Sequence, residues 1–90
     1  MKKVKIYQTD NRDYRFMNWE WSEKYFDIND YQCVLELNME VDDLEEIFYK
    51  GNNGELKKYN HYMRSISVSD VIEADGIKYF VDSFGFKEID

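Results

Sequence analysis

Hydrophobic and polar side chains alternate with a period of two in several stretches of this 90-residue chain. In "KVKIYQT", Val4 and Ile6 alternate with Lys5 and Tyr7, which predicts a half-buried first strand, because successive strand side chains point to opposite faces. The longest alternation is "YQCVLELNM": Tyr31, Cys33, Leu35, Leu37 and Met39 share one face, and Gln32, Val34, Glu36 and Asn38 the other. That pattern predicts the central strand, with Cys33 protected in its apolar row. "YRFMNWEW" alternates Tyr14 and Phe16 against Met17, Trp19 and Trp21. It fits a short strand or an irregular segment after a turn at Asp10 to Asp13, and the alternation favours the strand.

The period changes in "VDDLEEIFYKGNNG". Asp42 or Asp43 suits an N-cap, Glu45 or Glu46 a capping-box partner, and Gly51 a stop, so a short helix is expected. Leu44, Ile47 and Phe48 fall on one face at helical spacing and are expected to cover the sheet. "GNNGELKKYNH", Gly51 to His61, is polar and turn-rich and predicts the longest and most mobile loop. The chain then predicts a hairpin, "VIEA" and "IKYF" flanking Asp75-Gly76, a two-residue type I′ turn signal. Its register follows from the turn: Ala74 faces Ile77, Glu73 faces Lys78, Ile72 faces Tyr79 and Val71 faces Phe80. Gly85, between Phe84 and Phe86, suits a bend that turns the last segment back onto the sheet.

These elements predict an α+β fold. A small, mostly antiparallel sheet of about four or five strands carries one main helix and ends in a C-terminal β-hairpin. No proline, repeat or linker interrupts the chain, so residues 1–90 are expected to form one domain. Aromatic residues make up 18% of the sequence. A small core compensates with large side chains, and any rings left in water would mark a partner site. The lone Cys33 rules out an internal disulfide and any Cys-rich zinc site, which fits a reducing cytoplasm. Neither a signal peptide nor a membrane span is legible.

Candidate chemistry is thin. His61 is the only imidazole, and no Gly-x-Ser-x-Gly elbow surrounds Ser65, Ser67, Ser69 or Ser83, so no catalytic residue is assigned. Ser67, Ser69 and Asp70 before the hairpin, and Asp82 and Ser83 after it, read instead as turn residues bonding nearby backbone donors. Together with Asp75, Gly76 and Gly85 they form a structural set. "EVDDLEE" lacks the ligand spacing of a calcium loop and "GNNG" lacks the Lys-Ser/Thr of a phosphate loop, so no metal site and no cofactor are expected. Charge says more. Asp10 to Glu46 holds twelve acids against three bases, a balance of -9. Such a field disfavours direct nucleic-acid binding and favours a basic protein partner. Asp42, Asp43, Glu45 and Glu46 form the candidate acidic interaction surface. Mimicry of DNA charge is the competing reading, and an unrecognised hydrolase is the outside one.

Several stretches together resemble the YodL-like family of small bacterial domains. They are Tyr7-Gln8, "YRFMNW", "DYQCVLE", "LEEIF", and above all "SISVSDVI" followed by "KYFVDSFGF". The chain departs from the family pattern in the connection "HYMRSISVSD", where relatives often carry a proline and Gly-His. The resemblance implies an accessory role in Firmicutes and their mobile elements, either alone or within larger polypeptides. It transfers no catalytic residue. The expectation is therefore a non-enzymatic interaction module acting on a host or element protein.

Overall fold

The computed structural model describes residues 1–89; Asp90, the last residue of the expected domain, lies outside them. Strand β1 (Lys2–Thr9) leads through a turn and a single helical turn, α1 (Trp19–Ser22), to strand β2 (Tyr31–Met39). Helix α2 (Leu44–Asn52) follows, then strands β3 (Val71–Ala74), β4 (Ile77–Val81) and β5 (Phe86–Ile89). The five strands form one sheet in the order β2-β1-β3-β4-β5, every neighbouring pair antiparallel.

The hairpin register is the one its turn dictates, with Val71 opposite Phe80, Ile72 opposite Tyr79, Glu73 opposite Lys78 and Ala74 opposite Ile77. Asp75 and Gly76 have φ of 50° and 88°. Positive φ at both central residues is the type I′ geometry, whose twist matches the flanking strands. The tip is also tied to β1: Asp75 N donates to Lys3 O, and Lys3 N donates to Asp75 Oδ1, each at 3.0 Å.

The two faces of the sheet are covered differently. On one, Val4, Ile6, Leu35, Met39 and Ile72 pack with Ile47 of α2 and with Val41, Leu56, Met63 and Ile66 from its flanking segments. Fully burying an Ile or Val is worth about 1.5–3 kcal/mol, so this aliphatic layer contributes a large share of the stability. On the other face, residues 10–30 fold over the end of the sheet. There Trp19 and Phe26 meet Phe80 edge to face, with Trp19 and Phe80 centroids 4.9 Å apart, and Tyr14 and Tyr31 pack at a tilt against Phe26.

Several sequence expectations are corrected. Residues 14–21 are a turn followed by α1, because the Asn18 side chain accepts from Trp21 N at 3.0 Å and caps a helical turn where a strand was expected. The β2 strand lies at the sheet edge, and β1 and β3 are central. A bulge beside Ile6/Tyr7 leaves Val34 without a partner and pairs Cys33 with Tyr7, so Cys33 is exposed on the face opposite Leu35. Gly51 lies inside α2 and does not end it. The supposed loop from Gly51 contains the end of α2 and a one-turn 3-10 helix, Glu55–Lys58, pinned by buried Leu56.

Candidate interaction surface

The Ser/Asp residues ahead of the hairpin build an anchor. Asp70 is fully buried, and its Oδ2 accepts from Ser67 N at 2.9 Å and from Gln8 Nε2 at 3.0 Å. Gln8 continues the core-facing row of Val4 and Ile6, and it also joins Arg64 through both that residue's N–H and its carbonyl. The Arg64 guanidinium stands 3.8 Å from Asp70 Oδ1, donates to Thr9 O and pairs with Asp10 at 2.7 Å. Burial nevertheless dominates and pushes the Asp70 carboxyl up to about 6. Ser67 donates to Ser65 O at 3.2 Å. Ser69 is buried, with φ of 82°, and its hydroxyl accepts from the distant Phe16 N at 2.8 Å, not from a neighbouring residue.

A second tether lies beyond β4. Asp82 Oδ1 accepts from Trp19 N at 3.1 Å and from Ser83 N at 2.8 Å. Asp82 N donates to Gly85 O, closing the turn that returns the chain into β5. Ser69 and Asp82, side by side at the open end of the β3-β4 hairpin, thus hold residues 16–19. His61 is exposed and stacks on Tyr62, and none of these serine bonds involves it.

The acidic set divides in two. Asp43 is the N-cap of α2, accepting from Glu46 N at 2.9 Å, and Glu46 Oε1 accepts from Asp42 N at 2.9 Å. Two of the four carboxylates therefore serve the helix terminus. The Asp42 and Glu45 side chains face solvent at the mouth of an open groove of about 590 Å³ between α2 and the sheet. Among the described residues, no three His, Cys, Asp or Glu side chains are grouped for a metal ion. No helix among them is long and apolar enough to cross a membrane.

The tethered segment and the turn between β4 and β5 together present the feature that the sequence could not assign ring by ring. Phe16, Met17, Trp21, Tyr25 and Phe84 are all exposed, Phe84 at 96%. Two adjoining hollows, sharing Asn18, Glu20 and Ser83, link Phe16, Met17 and Trp21 to Phe84. Three of the rings, Phe16, Trp21 and Tyr25, have contacts that hold them in place. Trp21 Nε1 donates to Asp13 O at 2.9 Å, and Lys24 Nζ lies 5.5 Å from both the Trp21 and Tyr25 rings. The Phe16 ring has the Arg15 and Arg64 guanidinium carbons 4.9 and 5.4 Å from its centroid. Phe16 also sits at φ 69°, a region costing a bulky residue about 1–2 kcal/mol. The bond to Ser69 holds it there. Such strain, imposed by surrounding structure, concentrates at working surfaces.

Sequence reasoning missed Gln8 and Arg64 as parts of the anchor. The signal for Gln8 was present, a polar residue in the apolar row of β1. Arg64 had none, because its partner Asp10 is 54 residues away.

The sequence profile of the YodL-like domain matches residues 3–90. No curated protein and no solved structure matches the chain.

Proposed function

The chain belongs to the YodL-like domain family, and from that premise we propose that it is a non-enzymatic protein-interaction module. In this reading it is encoded by a bacterial mobile element and docks a host or element protein. The aromatic patch carries the reading. Five large apolar side chains stand in water at one end of the domain, four of them on residues 16–25, whose start Ser69 and Asp82 hold, and Phe84 on the turn between β4 and β5. Contiguous exposed apolar surface, with aromatic side chains at its centre, suits protein docking. Preorganised rings lose little conformational entropy on binding, so their burial converts efficiently into affinity.

The competing reading, mimicry of DNA charge, draws on the -9 balance between Asp10 and Glu46. Several of those acids already have partners within the fold: Asp10 pairs with Arg15 and Arg64, while Asp43 and Glu46 cap α2. Their use there supports docking over mimicry. The hydroxyl bonds of Ser67 and Ser69 to Ser65 O and Phe16 N support a structural role over a nucleophilic one.

Affinity capture from a lysate of the native host tests the proposal, run in parallel with wild type, Phe84→Ser and Trp21→Ser. A partner retained by wild type and lost by both variants, with unchanged circular dichroism, is the expected result. Recovery of the same proteins by all three would remove the patch as the docking surface.

A further inference from the structure

The groove at the N-terminal end of α2 plays no part in docking through the aromatic patch, which lies elsewhere on the molecule. Its floor is apolar: Ala74, Ile77, Tyr79 and Phe86 from β3, β4 and β5, bounded by Leu44 and Ile47 of α2. Ile77 is 44% exposed although it sits on the sheet face that α2 covers elsewhere. The helix is too short to roof this end. Asp42, Glu45 and Asp75 stand around the opening, all exposed. Lys2 also lines the groove, and its Nζ lies 4.0 Å from Asp75.

We propose that this groove seats a peptide segment of a protein partner that carries a bulky apolar anchor flanked by lysine or arginine. The proposal rests on the interaction-module reading and names the chemistry of a second contact. The apolar floor calls for an aliphatic or aromatic side chain that loses its water on entry. The rim selects the flanks. Lysine or arginine beside the anchor meets Asp42 and Glu45, whose carboxylates are not used in capping, whereas an acidic flank meets like charge. At the opening the pairs stay in contact with solvent, so they are expected to set specificity and salt dependence while the anchor supplies most of the affinity.

The test uses the intact domain and a fluorescein-labelled synthetic peptide of about twelve residues, with a Leu-Phe centre and Lys/Arg flanks. Two control peptides carry glutamate for each basic residue or serine for the Leu-Phe pair. Anisotropy titration is expected to give saturable binding to the first peptide alone. Asp42→Lys/Glu45→Lys is expected to weaken it about tenfold, as loss and reversal of two rim pairs implies. Ile77→Ser is expected to weaken it through the floor, with thermal melts confirming that both variants fold. Amide chemical shifts are expected to move at Ala74, Ile77, Tyr79 and Phe86. The proposal is overturned by absence of saturable binding, by equal binding of the glutamate peptide, by affinity unchanged in the charge-reversed variant, or by shifts confined to Phe16 and Trp21. Its failure is separable from that of the module reading: host capture that needs Trp21 but ignores Asp42 and Glu45 removes the groove and keeps the module.

Discussion

Replacing Asp70 with asparagine isolates the cost of holding a carboxylate inside this small domain. The side chain is fully buried, its Oδ2 accepts two hydrogen bonds, and its Oδ1 faces Arg64 without a donor in bonding range. Burial pushes the carboxyl up to about 6, against an ordinary 3.8. The folded protein therefore holds this proton more tightly than the unfolded chain does. The stability contributed by the group is fully present below pH ~4 and is lost as pH rises through ~6. At about 1.4 kcal/mol per pH unit, the loss comes to about 3 kcal/mol by pH 7. The amide introduced by Asp70→Asn keeps an acceptor for Ser67 N and Gln8 Nε2 but does not titrate. Its nitrogen facing Arg64 adds a penalty that does not vary with pH. Urea denaturation of both proteins at pH 4, 5, 6 and 7 reads the effect as wild-type minus variant stability. That difference is expected to fall by about 2.4 kcal/mol between pH 4 and pH 7, since part of the loss lies below pH 4. Parallel profiles would show that Arg64 and the two hydrogen bonds offset burial, and a difference that grows with pH that they outweigh it.

Three further outcomes follow from local geometry. Gly51→Ala would place a Cβ 2.1 Å from Ile66 Cδ1, within a fully buried neighbour, so a loss of about 1–3 kcal/mol in chemical denaturation is expected. Asp43→Ala removes the N-cap of α2 and is expected to cost about 1 kcal/mol, whereas Asp42→Ala, whose side chain caps nothing, is expected to lie within about 0.5 kcal/mol of wild type. Phe16→Asn relieves the strain of a left-handed backbone while removing a half-exposed ring, so stability is expected to stay within about 1 kcal/mol. The same variant is expected to lose partner capture; a large fall in melting temperature would instead make Phe16 a structural residue.

The sequence made visible what short-range chemistry determines. Asp75-Gly76 sets a type I′ turn, and that turn alone sets the pairing of β3 with β4. Asp43 and Glu46 mark the start of α2 because a cap and its partner lie three residues apart. Long-range competition decided the rest. A period of two in β2 reports that one face is buried but does not report how many strands flank it, so its edge position was hidden. One unpaired residue, Val34, was enough to move Cys33 to the opposite face. Gly51 resembled a stop until Ile66, far along the chain, filled the space where its side chain would be. The aromatic patch was hidden for the same reason. Tyr14, Phe16, Trp19 and Trp21 have similar local patterns, and only contacts with Ser69, Asp82 and Phe80 sort them into core and surface.

Docking through the patch is tested most directly by photocrosslinking in the native host, with p-benzoylphenylalanine placed at Phe84, which is 96% exposed. Tyr59, exposed beside the junction of β2 and α2, serves as the control position. A discrete adduct with one partner protein, formed from position 84, absent from position 59 and lost on adding Trp21→Ser, is the predicted result. The same adducts from both positions, or none from position 84, would contradict the assignment of this surface as the one that binds.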